Sequence, residues 1–210
     1  MTLGIGSPVW LALLAFAAQG TSDFRLKAAV VRKGDPFSLM AMTVPTFALT
    51  SAASGLVLGT LRFSAATLGF GALIGTLSFI SFNLFVSSLK EGEASVNAML
   101  FRLSFVVTSL LSIALLGEST GWAKWLGLAL AAGAVCSAAL DSRRYARPGS
   151  RRAILLATAA LVCYGFNGFF FKVATLRGAE ASGLSIVTTC TFGVLSVLVH
   201  LLPWGSLRFR

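Results

Sequence analysis

Residues 11–47 of this chain recur 145 positions later, at 156–192, with no gap between the copies. Leu11, Ala12, Ala15, Gly20, Phe24, Lys27, Ala29, Arg32, Leu39, Thr43, Thr46 and Phe47 fall on identical residues: Leu156, Ala157, Ala160, Gly165, Phe169, Lys172, Ala174, Arg177, Leu184, Thr188, Thr191 and Phe192. Each copy is an apolar segment, a polar stretch and a second apolar segment. A chain that writes the same pair of segments twice has to seat both in one fold, and this limits its architecture more than any single motif does.

The medium in which it folds follows from hydropathy. Mean hydropathy is +0.86, and 11% of the 210 residues are charged, where a soluble domain carries about 25%. No soluble core of this length hides that much apolar surface. A spanning helix needs about 20 mostly apolar residues, and seven segments qualify: 8–31, 36–61, 66–89, 94–116, 122–140, 152–176 and 181–202. The expected fold is all-α, a polytopic helical membrane protein of seven transmembrane helices. Ala15-Phe16-Ala17 resembles a signal-peptide cleavage site, but no Lys or Arg precedes Arg25 and the segment recurs at 156–174, so it reads as a true first helix. The net charge of +10 sits mostly between apolar segments, where it reads as topology and lipid contact and not as a nucleic-acid surface.

Segments one to five occupy residues 1–140, a first five-helix repeat. A basic linker follows at 141–151, with Pro148 and Gly149, and residues 152–210 hold the first two helices of a second repeat, which is expected to be incomplete. After an odd number of crossings the second copy enters the membrane from the opposite side. The copies are therefore expected to be inverted, related by a pseudo-two-fold axis in the membrane plane, an arrangement typical of secondary transporters. Placing the linker in the cytoplasm puts Lys27, Arg32, Lys33, Lys90, Arg143, Arg144, Arg147, Arg151, Arg152, Arg208 and Arg210 inside, against Arg62, Lys124, Lys172 and Arg177 outside, which satisfies the positive-inside rule. Small residues at four-residue spacing, Ser51, Gly55 and Gly59, then Gly71 and Gly75, predict close helix packing.

Several short motifs carry a family resemblance. Gly20-Thr21-Ser22-Asp23-Phe24 with Lys27 follows an apolar run, and Gly165-Phe166-Asn167-Gly168-Phe169 with Lys172 does the same in the second copy. Glu93-Ala94-Ser95 opens the fourth segment. Leu115-Leu116-Gly117-Glu118 closes it, before Trp122 and a fifth segment with Gly127 and Gly133. The chain resembles the EamA-type branch of the drug/metabolite transporter superfamily. That resemblance implies two five-helix repeats that move small metabolites such as amino acids, with Gly20, Gly165 and Glu118 as motif positions. It departs from the family where Gln19 and Tyr164 stand in place of a Trp before the motif glycine. Ten-helix members keep both termini inside, which would put this linker outside; the charges favour the opposite orientation and are followed here.

Polar groups inside a bilayer each need a reason. Arg102 lies in the fourth segment, where a guanidinium costs about 2.5–3.5 kcal/mol on the translocon scale. It is expected to face the bundle interior, either to capture an anionic group of a substrate or to form a structural pair. Asn97 and Asn83 are candidates for a substrate pathway or for helix-to-helix hydrogen bonds. Gln19 and Asn167 sit beside Gly20 and Gly165, where glycine permits close backbone approach or local unwinding. Asp23 and Lys27 are spaced to pair on one helix face; Lys27 and Lys172 reach the interface. Glu118 is either a structural family residue or an exposed loop carboxylate.

Other chemistries find no support. Cys136, Cys163 and Cys190 lie singly in apolar segments and read as packing residues. His200 stands near Pro203 and Trp204 and reads as interfacial. No nucleophile–base pair, metal-ligand cluster or phosphate loop appears, and no lysine in 181–202 offers a Schiff base. The sequence therefore predicts a multi-pass protein of the cell membrane, not an enzyme, with no cofactor. Its partners would be lipid and a small-molecule substrate. The expected activity is secondary transport, with export favoured. The alternative is a non-transporting subunit that works with a second copy as a homodimer or with a complementing half.

Overall fold

The computed structural model describes residues 36–92, 94–145 and 151–201, with positions 10, 13, 14, 17, 20, 21 and 28. Gln19, Asp23, Arg25, Lys27 and Glu93 lie outside the described residues. The described chain is helical: α1 Pro36–Val57, α2 Ala65–Glu91, α3 Ala94–Arg102, α4 Ser104–Leu116, α5 Trp122–Tyr145, α6 Arg151–Leu176 and α7 Ala181–Leu201. Four stretches are long and apolar enough to cross a membrane: Ala65–Glu91, Val96–Leu116, Arg151–Leu176 and Ala181–Val199. They are the third, fourth, sixth and seventh segments of the sequence, so the expected polytopic helical class holds.

Local chemistry sets the helix ends. Ser64 caps α2, its hydroxyl accepting from the Thr67 amide at 3.1 Å. Gly59 and Gly178 close α1 and α6 with φ of 65° and 83°. At each, the next residue reaches back five positions, Thr60 to the Gly55 carbonyl at 2.9 Å and Ala179 to Ala174 at 3.0 Å. These are Schellman ends, which need a left-handed residue that glycine supplies without steric cost. Gly59 is thus a cap rather than the last member of the Ser51–Gly55 packing row. The expected linker also begins later: residues 141–145 continue α5, because nothing in Asp-Ser-Arg-Arg-Tyr breaks a helix before Pro148.

The fourth segment, expected as one helix, is broken at Leu103. Leu103 and Val106 bond three residues back, to Leu100 at 3.0 Å and to Leu103 at 2.9 Å, a tightened 3₁₀-like turn. The halves are anchored to different neighbours. On the α3 side, Asn97 donates to the Ser88 carbonyl of α2 at 2.6 Å. On the α4 side, Thr108 donates to the Gly165 carbonyl of α6 at 2.8 Å.

In lipid, apolar contact gives helices little drive to associate, so close backbone approach and interhelical hydrogen bonds carry the packing. α2 and α7 run parallel along a ladder of small residues. Thr67 meets Gly183, Gly71 meets Val187, and Gly75 meets Thr188 and Thr191. α6 runs antiparallel to α2, with Ser81 donating to the Ala160 carbonyl at 2.7 Å and Asn167 to the Ile74 carbonyl at 3.3 Å. Ile74, Ala174, Ala179 and Leu184 form a buried core, with Phe70, Phe170 and Phe171 packed on it.

The repeat is visible in the packing. α1 and α7 begin at equivalent positions, Pro36 and Ala181, 145 residues apart. They pack against each other with Val44 at Gly193 and Gly55 at Ser182. Position numbers rise along α1 as they fall along α7, so the equivalent helices are antiparallel. The register of both contacts puts position 46 level with position 191, its equivalent in the other copy. Two copies related by an in-plane two-fold axis have to meet in this way.

A methyl group added at Gly75 would stand 2.7 Å from the Thr188 carbonyl oxygen, a backbone atom that has little room to move. Gly75→Ala is therefore expected to destabilise the folded protein by about 1–3 kcal/mol. Gly69 has nothing within 4 Å of the same methyl, and Gly69→Ala should be neutral or stabilising by roughly 0.5–1 kcal/mol. Thermal unfolding of the two variants in detergent checks this; equal midpoints would contradict the ladder.

Candidate functional site

At the middle of the bundle α6 packs against α2 on one side and α4 on the other. Ser78 is the midpoint of α2, and Asn167 of α6 donates to its hydroxyl as well as to the Ile74 carbonyl. An amide at this depth is tolerated because both contacts satisfy it inside the protein. Its flanking glycines admit α4. A methyl at Gly165 would lie 2.5 Å from the Val107 Cβ, and one at Gly168 would lie 2.6 Å from the Thr108 hydroxyl. α6 continues unbroken through both glycines. Of the two uses foreseen for Gly165, the structure shows close approach and not unwinding. Gly20, its twin in the first copy, is exposed and has nothing within 4 Å.

Arg102 is the last residue of α3, half-buried, at the break in the fourth segment. Beside it Phe101 stacks on Phe85 at 4.5 Å and tilts against Tyr164 at 5.0 Å. Two residues on, the Ser104 carbonyl faces Gly165. This places Arg102 level with the middle of α6. Asn97 and Asn83 are elsewhere. Asn97 is only 2% exposed, and its amide caps the α2 end through Ser88, the same carbonyl that accepts from the Gly92 amide at 3.0 Å. Asn83 turns back on its own helix, donating to Phe79 at 2.8 Å. The structure thus brings Asn167 and Arg102 to the central level and commits Asn97 to closing the α2–α3 turn. Ser78 and Thr108 complete the central polar set; as single hydroxyls in apolar runs they carry no sequence signal of their own.

A second polar centre lies at the bundle end. Glu118, just after α4, pairs with Lys124 at 3.1 Å and with Lys172 near the end of α6. The Lys172 ammonium, then that of Lys124, holds the Glu118 carboxyl below its usual range, against a smaller opposing effect of desolvation. One carboxylate therefore ties the first copy to the second. Glu118 is thus ion-paired across the two copies, and Lys172 has a protein partner besides any lipid headgroup. Nearby, the Arg177 guanidinium stands 5.6 Å over the Phe70 ring, a cation–π distance. Among the described residues no group of three or more His, Cys, Asp or Glu is placed to hold a metal ion.

The sign of the Glu118 effect is fixed by its lowered pKa. Its stabilisation is present while the carboxylate is charged and is lost as pH falls through that lowered value. The melting temperature of the detergent-solubilised protein is expected to be insensitive to Glu118 ionisation near neutrality and to drop in acid. Glu118→Gln should lower the melting temperature at pH 7, remove part of the acid drop and reduce sensitivity to salt. A variant with the parent's pH and salt profile would show the pair to be idle.

No curated protein and no solved structure matches the chain. A model of the EamA-like transporter family matches residues 6–139, more than half of the 210 residues. With apolar helices packed about a polar centre, the chain belongs to the EamA-like transporter family, a family of membrane transporters of the drug/metabolite type.

Proposed function

We propose that this chain serves secondary transport of small metabolites, amino acids among them, by alternating access, with export as the favoured direction. The observation that carries the reading is the antiparallel packing of α1 on its equivalent α7, in a register that puts position 46 level with position 191. Two inverted copies of one helix pair have two arrangements of similar energy, in which the copies exchange roles. One opens the central polar set to one side of the membrane and the other to the opposite side. A substrate shifts that balance only as far as it binds one arrangement better than the other.

Arg102 is the residue proposed to hold an anionic group of the cargo, since a planar guanidinium binds a carboxylate through two parallel hydrogen bonds. Asn167 and Ser78 would supply further donors and acceptors at the same level. The Glu118–Lys172 pair, which joins the copies at one end, would open when that end opens. The proposed location is the cell membrane, plasma or inner, with lipid and a small solute as partners and a second copy or a complementing half as the protein partner. The competing reading is a membrane subunit without transport of its own.

The test is uptake of radiolabelled amino acids into proteoliposomes holding the purified chain, alone and with added partner protein, normalised to folded protein. Arg102→Lys keeps the charge and loses the fork. If Arg102 grips the substrate, uptake of anionic solutes should fall well beyond any fall in folded protein. If Arg102 is structural, Arg102→Leu should lower folded protein with no separable transport defect. Folded protein that moves no solute in either setting would favour the non-transporting subunit.

A further inference from the structure

Hydroxyls in these helices commonly turn back on their own backbone. Ser87, Thr158, Thr189 and Ser196 each donate to the carbonyl four residues behind. Ser112 of α4 does not. It is 1% exposed, and its Oγ is the one buried side-chain polar atom among the described residues with no hydrogen-bond partner. A buried hydroxyl without a partner is costly in an apolar medium, so its place in the fold needs an account. Ser104, Thr108 and Ser112 stand every fourth residue along α4, and so on one face of it. Ser104 is buried as well. Thr108 shows where that face points, since it donates to the Gly165 carbonyl of α6 at 2.8 Å. α4 and α6 run parallel, with the Ser104 carbonyl at Gly165 and Thr108 at Gly168.

The hydroxyl row therefore follows the α4–α6 seam for about 12 Å, at 1.5 Å per residue. Arg102 stands two residues before its inner end. Beyond its outer end, Glu118 holds the Lys172 ammonium on one oxygen and that of Lys124 on the other, two positive charges to one negative. We infer that this face of α4 lines a passage for water and a small anionic solute between the Lys172 end of the bundle and Arg102. In the arrangement seen the passage is shut, with Val107 and Thr108 against Gly165 and Gly168, and Ser112 is enclosed. When α4 draws away from α6, water reaches the row and Ser112 gains the partner it lacks. The three hydroxyls then offer donors and acceptors in turn, and the excess positive charge at the outer end favours entry of an anion. That the solute is a transported metabolite rests on the proposed function; that the seam opens to water does not.

The experiment is thiol labelling in lipid nanodiscs, where a reagent reaches both faces of the membrane. The full chain has Cys136, Cys163 and Cys190 replaced by alanine, and Ser112→Cys then adds a single thiol. Its reaction is timed with an anionic and with a cationic methanethiosulfonate. The reference is Ser81→Cys, at a serine that is equally buried but has a partner, the Ala160 carbonyl. The thiol at position 112 is expected to react several-fold faster than that at position 81. Ser104→Cys probes the inner end of the row, should also outpace position 81, and carries the test if Ser112→Cys does not fold. Size-exclusion chromatography shows which variants fold as the parent does. Adding Lys172→Gln should reduce the preference for the anionic reagent. Labelling of either folded variant no faster than at position 81 would overturn the inference, as would a reagent preference untouched by Lys172→Gln. The labelling needs no turnover, so a seam that labels in protein that moves no solute would sink the transport reading alone.

Discussion

The structure depends on how closely α2 approaches its neighbours. Water drives soluble helices together, but lipid tails are as apolar as the side chains they would replace, so contact in a membrane has to come from packing distance and polar pairing. Thr67, Gly71 and Gly75 provide the distance on the side facing α7. Once that ladder sets the register of α7, the position of α1 follows from the Gly193 and Gly55 contacts. The antiparallel relation of the equivalent helices α1 and α7 is then fixed as well. Packing at α2 is therefore what turns a repeat in the sequence into a symmetry in space.

Polar groups give the second constraint. Backbone and amide groups without a partner are costly in hydrocarbon. Each described asparagine is satisfied within the protein, in three different ways: Asn167 across helices, Asn83 within its own helix, and Asn97 at a helix end. Only the first links the two copies at mid-depth. The ion cluster at Glu118 links them again at the bundle end, where water is near and the carboxyl is held in its charged form. The copies are thus joined by a neutral polar contact inside and an ionic one outside. This division follows the dielectric, and it leaves the ionic contact the easier one for water to replace.

Much of this was legible before any coordinates. The helix class and four of the expected spans followed from hydropathy. Gly71 and Gly75 were recognised as packing residues from spacing alone. The break at Leu103 was not legible, because Phe-Arg-Leu-Ser contains no helix breaker; it arises where Asn97 and Thr108 bind different helices. The role of Asn97 was equally hidden, since an asparagine nine residues past Ser88 becomes a cap only when α3 folds back along α2. Lys172 read as an interfacial lysine because its partner, Glu118, is 54 residues away.

The sequence by itself determined what repeats or is local: seven apolar segments, two copies of one helix pair, capping residues such as Ser64, and turns that need Gly59 or Gly178. These rest on composition and on neighbours within about five positions along the chain. Tertiary structure decided which polar groups meet. Whether Asn167 faces Ser78 or lipid depends on the rotation of α6 about its axis, set by how Gly165 and Gly168 admit α4. That rotation is a property of three helices packed together, and no one segment encodes it.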